Sequence, residues 1–309
     1  SATVGGLGLV LTVGVALLVL AWENHERKAT FERLAASRAE MVLDDMLMIR
    51  NNLLVLAGFH TESQDLDREE FHAIAAPMVS RSTVQAYEWI PAVPAAEKER
   101  FEAAVRRESG EGFTIWERNA RGEKVPAAGR AVYYPVYRVE PPAGNEAALG
   151  FDLGSEPVRR AALEKAIRTG LVTATDTITP VQETARRQAV LVFHPVFAKD
   201  ASGPQGAGGP GRLRGFALAV VRLQSLFEKA SGRAGRGEDL VETHLTDLMD
   251  AGGPRLLAVY PVDHAEGHPA IIDDAYLRHY AFQSIQPLFA FGRAYAVVAH
   301  PTPEFHAEY

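Results

Sequence analysis

The residues best suited to chemistry in this chain of 309 residues are its ten histidines, a few isolated carboxylates and a pair of arginines. His264 and His268 stand four apart, a spacing that can present two imidazoles to zinc from one helix face. The order H-E-x-x-H is missing, however, and Gly267 and Pro269 oppose a helix, so the pair reads as part of a surface loop, with no metal expected. Glu140 and Asp152 have no visible acid/base partner, and no G-x-S-x-G nucleophile motif is present, which argues against a hydrolase. Gly206, Gly208 and Gly211 match G-x-G-x-x-G, but Pro210 interrupts the match and a strand-like run follows at 215–223. A phosphate-cradling loop must instead open a helix, so a hairpin loop or domain linker is the reading and no cofactor is expected.

Arg159 and Arg160 are the more informative pair. They fall in the first turn of the helix that Ser155, Pro157 and Gly170 delimit as cap, first turn and end. The helix dipole favours negative charge there, so something acidic should compensate. Arg159 shares a face with Leu163 and Ala166 and leans toward the sheet. Two kinds of partner suit it: Glu156 or Asp152, or an anionic ligand group held by guanidinium and helix N-terminus together.

The elements that must position these residues alternate. Helices are expected at 67–80, 95–109 and near 225–230, and strands at 84–90, 113–117, 131–139, 147–153, 172–178, 189–197, 215–223, 240–248, 256–262, 280–285 and 293–299. Before them, 24–60 lacks Pro, and Ala35, Ala39, Val42, Met46, Ile49, Leu53, Leu56 and His60 recur in four- and three-residue steps. This heptad-like seam predicts a long stalk helix that either pairs with a second chain or packs on the protein's own sheet, since Met41, Leu43, Leu47 and Leu54 widen it.

The start of the chain is apolar from Ala2 to Trp22, with charge beginning at Glu23. About 20 such residues at 1.5 Å each span a bilayer core, and Trp22 stands where an interfacial anchor belongs. The run is longer than a signal-peptide core and lacks a small-x-small cleavage site, so a membrane helix is expected. The remaining length suits two modest domains. A net charge of −7, from 32 basic and 39 acidic residues, argues against nucleic acid, and the absence of Cys excludes disulfides and thiolate chemistry.

Glu88-Trp-Ile-Pro91, Tyr134-Pro-Val-Tyr137, Glu140-Pro-Pro142, Ala148-Leu-Gly-Phe-Asp-Leu153, Arg159-Arg160, Gly170, Gln182-Glu183 and Val190-Leu-Val-Phe-His-Pro-Val-Phe197 follow in the order of the CHASE domain. The chain resembles that family, which includes the sensor regions of plant cytokinin receptors, over about 71–222. The resemblance implies an α+β fold: a membrane helix (1–22), a stalk helix (23–66), and two tandem PAS-like units with antiparallel sheets, one distal and ligand-binding (67–212), the other membrane-proximal (213–309). It also implies a second membrane helix and a cytoplasmic output domain beyond Tyr309.

Aligned through Phe151-Asp152 and Gly170, the plant receptors' adenine-binding Asp falls at Arg159, and a pocket Thr falls at Val192. A pocket Thr is kept at Thr175, and the hydrophobic floor falls near Val181. Donor for acceptor and methyl for hydroxyl change the polar code, so cytokinin is a poor fit. The expected ligand-binding set is Trp89, Tyr134, Arg159, Thr175, Val181, Gln182 and Val192, around a small, anionic molecule, with Trp89 either an apolar wall of that site or packed in the core. The expected protein is an extracytoplasmic sensor in a bacterial inner membrane, in contact with lipid and dimeric through its stalks. The alternative is a tethered module that recruits another protein.

Overall fold

The computed structural model describes residues 2–62, 66–109, 112–178, 188–198, 211–234, 240–261, 268–278, 280 and 282–309. Helix α1 (Ala2–Glu62) runs unbroken for 61 residues, as a Pro-free sequence permits. The side chains described in its apolar start, from Leu11 to Trp22, are exposed. Among the described residues no helix is long and apolar enough to cross a membrane.

The chain forms two compact units, one of Ser1–Val42, Ala230–Leu288 and Tyr295–Tyr309, the other of Leu43–Lys229 and Phe289–Ala294. The second unit opens with α2 (Arg68–Arg81), whose start is fixed by a capping box: Glu70 N donates to Asp67 Oδ1 at 2.8 Å, and Asp67 N donates to Glu70 Oε2 at 3.0 Å. Strand β1 (Val84–Pro91), the short β2 (Val93–Pro94), helix α3 (Lys98–Ser109) and the small strands β3 (Trp116–Arg118), β4 (Lys124–Pro126), β5 (Val132–Tyr133) and β6 (Arg138–Glu140) follow. After α4 (Pro157–Thr169) come β7 (Thr173–Ala174), β8 (Ala189–Phe197), β9 (Leu213–Arg222) and α5 (Leu223–Ser231).

Five of these strands form one antiparallel sheet in the order β6-β1-β9-β8-β7. The expected domain boundary at 212/213 is therefore displaced. β9 pairs with both β1 and β8, so the Gly/Pro-rich stretch before it joins two strands of one sheet, and compactness changes near Lys229 instead. The strand expected at 147–153 is also corrected. Short 3-10 turns at Glu146–Ala148 and Leu153–Ser155 flank Gly150, whose φ of 78° breaks extended backbone.

The first unit carries β10 (Val241–Asp247), β11 (Arg255–Tyr260), α6 (Asp274–Leu277), β12 (Ser284–Ala290), β13 (Arg293–Pro301) and α7 (Pro303–Glu308), with its sheet in the order β11-β10-β13-β12. Phe31 and Ala35 of α1 pack there with Leu240, Val241, Ala299 and Phe305. Arg38, 1% exposed, donates to the Ser231 carbonyl at 2.7 Å and lies over the Tyr260 ring.

All eight positions of the expected heptad seam, Ala35 to His60, are at most 5% exposed within this single chain. The seam is therefore spent on the protein's own packing, because four- and three-residue steps serve a helix on a sheet as well as a helix pair. The apolar side chains that α1 leaves exposed in the second unit are Leu54, Val55 and Phe59.

Gly150 tests how tightly the turn is specified. A Cβ there would lie 2.4 Å from the Thr114 carbonyl oxygen at a left-handed φ. Gly150→Ala is expected to destabilise the chain by at least about 2 kcal/mol in denaturant unfolding, combining left-handed strain with overlap against backbone.

Candidate ligand site

Helix α4 sets one wall. Pro157 occupies its first turn, the Glu156 side chain accepts from Arg159 N at 3.1 Å as the cap, and Gly170 closes it at φ 68°. Ser155 is not the cap that its type suggests; its hydroxyl donates to the Asp152 carbonyl at 2.6 Å. The buried stripe of α4 is Arg159, Ala162, Leu163 and Ala166, packed on the sheet with Ile90, Phe151, Leu191, Phe193, Phe216 and Leu218.

Strand alternation decides which sheet residues meet α4. On β1, Ala86 and Ile90 belong to this core, and Glu88 lies between them on the same face, opposite Leu218 of β9 and Val139 of β6. Glu88 is 2% exposed and its Oε1 has no hydrogen-bond partner. Burial pushes its pKa up from 4.5 to about 8, against the opposing pull of the Arg159 cation. Arg159 is itself buried, with Nη1 3.7 Å from Glu156 Oε2 and its guanidinium over the Phe151 ring at 5.2 Å. Burial lowers its pKa, while Glu156 and Glu88 pull it back up. A guanidinium and a carboxyl thus share a wall that is otherwise aromatic and aliphatic.

Asp152 is used differently. Its Oδ1 accepts from Tyr134 N at 2.8 Å and Gly154 N at 3.1 Å, and its Oδ2 is 3.2 Å from Arg130, which also pairs with Glu117. Burial raises its pKa, and its charge belongs to a loop-fixing network, whereas Glu156 and Glu88 act on Arg159.

The CHASE-domain profile matches residues 64–258, more than half of the chain and spanning all of these elements. The chain belongs to the CHASE-domain family. The fold is similar to that of an extracellular ligand-binding receptor from Desulfohalobium retbaense DSM5692, at a TM-score of 0.54 and 11% identity over 87% of this chain and 40% of that one. The CHASE chain therefore spans under half the length of that receptor. It is likewise similar to the periplasmic sensory domain of the Campylobacter jejuni chemoreceptor Tlp1, at a TM-score of 0.50 and 12% identity over 90% of this chain and 94% of that one. No curated protein matches the chain. The two structural likenesses show a shared fold.

Within the CHASE chain, the expected site residues separate. Arg159 is at the α4 wall, and Tyr134 packs against the same core with its ring edge-on to Phe216 at 5.6 Å. Thr175 is buried, but its Oγ1 accepts from Leu191 N at 3.1 Å, so the hydroxyl completes the strand edge. Trp89 and Val192 each lie one residue out of phase with the α4 face. Trp89 stacks on His60 of α1 at 3.6 Å, and Val192 sits opposite Ala219 on that same reverse face. Val181 and Gln182 lie outside the described residues.

Glu88 is the residue that the sequence reading passed over. Its signal was a lone carboxylate in an apolar strand, within the Glu-Trp-Ile-Pro motif. His268 lies in irregular chain, half-buried with its side chain 11% exposed, before the exposed Pro269 and Ala270, while His264 lies outside the described residues. The groove of about 750 Å³ in the first unit is lined by Glu26, Glu32 and Arg33 of α1 and by β12 residues, and it contains none of this chemistry.

The folded state holds the Glu88 proton more tightly than the unfolded chain, so this contribution to stability is complete below pH 4.5 and is lost as pH rises through about 8. Glu88→Gln is expected to remove that dependence. Its melting temperature should gain on the wild type steadily between pH 5 and 8, whereas parallel pH curves would show that Glu88 titrates normally.

Proposed function

We propose that the CHASE chain is the small-molecule sensing region of a membrane receptor and that its ligand presents an anionic group to Arg159. The observation that carries this reading is the Arg159 guanidinium buried with Glu88 against an apolar sheet face, inside the segment that defines the family. Near neutral pH a largely protonated Glu88 can donate a hydrogen bond to the ligand, and Arg159 supplies the charge. Tyr134 and Phe216 offer aromatic walls, and Val181 and Gln182 remain candidates for the same site.

Beta-strand alternation supports a route from ligand to helix. Glu88 faces α4, while its chain neighbours Tyr87 and Trp89 touch α1, through Asn52 Nδ2 donating to the Tyr87 hydroxyl at 2.8 Å and through the His60 stack. A ligand that prefers one position of β1 biases those contacts by its differential affinity for the two states. In this reading the two sheets are tandem PAS-like units, distal and proximal, and the apolar start of α1 is a membrane helix of the bacterial inner membrane. A further span and an output domain follow in the full receptor, and two chains pair through the exposed Leu54, Val55 and Phe59 side of α1.

Two measurements test these points. A thermal-shift screen of small organic acids should yield a stabilising ligand, and Arg159→Gln should weaken its binding by about 1.5–3 kcal/mol, the worth of a charge-assisted hydrogen bond. Unchanged affinity in a folded variant would remove Arg159 from the site. In this Cys-free chain, single cysteines at Val55 and Phe59 should cross-link between chains in membranes, while cysteines at the buried Ile49 and Leu53 should not.

A further inference from the structure

The sheet of the first unit gathers a second group of polar side chains. Strand β10 carries Glu242 and His244 two residues apart, and therefore on one face. β13 places His300 directly opposite Glu242. His268 completes the group. His244 and His300 are fully buried, and the side chains of Glu242 and His268 are 15% and 11% exposed.

The geometry converges on one oxygen. His244 Nε2 lies 2.8 Å and His268 Nε2 3.3 Å from the same Glu242 Oε1. One donor atom from each of the three residues lies within 4.8 Å of the others. The opposite ring nitrogens are both engaged: His244 Nδ1 is 3.2 Å from His300 Nε2, and His268 Nδ1 is 2.7 Å from the Tyr276 hydroxyl. Tyr276 in turn lies 3.1 Å from the Tyr280 hydroxyl, and the Tyr280 ring stacks on His300 at 3.8 Å.

We infer that Glu242, His244 and His268 form a binding site for a divalent transition-metal ion of the zinc class, with His300 and Tyr276 orienting the two imidazoles. Metal-ligating histidines bind through one nitrogen and donate the other N–H to a fixed partner. Here Nδ1–H of His268 would donate to the Tyr276 oxygen and Nδ1–H of His244 to His300 Nε2, which frees both Nε2 lone pairs for the ion. Two imidazoles and a carboxylate suit zinc and its borderline neighbours, and three protein ligands leave a position for water or an exogenous anion. Bonds of about 2.0–2.1 Å in tetrahedral array separate ligand atoms by about 3.3 Å; His268 Nε2 stands 3.3 Å from Glu242 Oε1 and His244 Nε2 somewhat nearer, at 2.8 Å. Binding would tie β10 to the chain around His268 and stabilise this unit by mass action.

The test uses Zn²⁺ and Co²⁺ alone, added to the chelator-stripped chain in detergent. One ion per chain is expected by competition with a chromogenic chelator, with visible cobalt bands of low-symmetry coordination and a raised melting temperature. Glu242→Gln and His268→Gln should abolish these responses, and Tyr276→Phe should weaken binding about 10–100-fold. Metal-free melting curves show whether each variant is folded. In the unmodified chain, histidine ring nitrogen shifts on Zn²⁺ addition should involve two ligating residues, a readout that does not depend on any variant. No binding by the wild type, unchanged binding in folded Glu242→Gln and His268→Gln, or shifts confined to the other histidines would each overturn the inference.

Discussion

Everything about the candidate ligand site depends on the two-residue repeat of β1. Side chains at 86, 88 and 90 face α4, and those at 87 and 89 face α1, because extended backbone allows no other arrangement. The register with β9 pins this phase by pairing Glu88 with Leu218 and Trp89 with Ala217. A slip of one residue would bury Trp89 under α4 and turn Glu88 toward the stalk helix. The chemistry of the site is therefore a property of hydrogen-bond register as much as of residue type.

The same sheet face shows how a protein manages buried charge. Arg159 lies at a helix N-terminus, where the dipole opposes it, and is tolerated because Glu156 caps the helix beside it, Phe151 offers a ring face and Glu88 shares the core. Asp152 and Arg130 solve the problem separately and fix a loop. A core of this kind costs stability relative to an all-apolar one. It retains polar groups where a small molecule can use them, which fits a sensor better than a scaffold.

Much of this could be read before the structure. Pro157 and Gly170 bounded α4, the apolar run at Ala189–Phe197 was a strand, and the dispersed CHASE motifs identified the family. The failures have physical causes. Gly150 turns a segment whose composition suggests a strand, and the Gly-rich stretch before β9 looks the same whether it links domains or strands. The face that Trp89 and Val192 present follows from register, which a single sequence does not reveal. The seam of α1 had the right period but an ambiguous partner. Glu242, His244, His268 and His300 come together only through sheet pairing and chain return, so no local spacing announced them.

The stack of His60 on Trp89 also has an optical consequence. An indole is quenched efficiently by an imidazolium ring but much less by a neutral imidazole. Burial, with Arg214 and Arg138 nearby, holds His60 down at about 3, so the ring against Trp89 stays uncharged across any ordinary working pH. Emission from Trp89 is thus insulated from protonation of His60 and responds to the distance and angle between the two rings. The chain carries its own fluorophore at the junction of β1 and α1, where displacement of the strand would become visible as light.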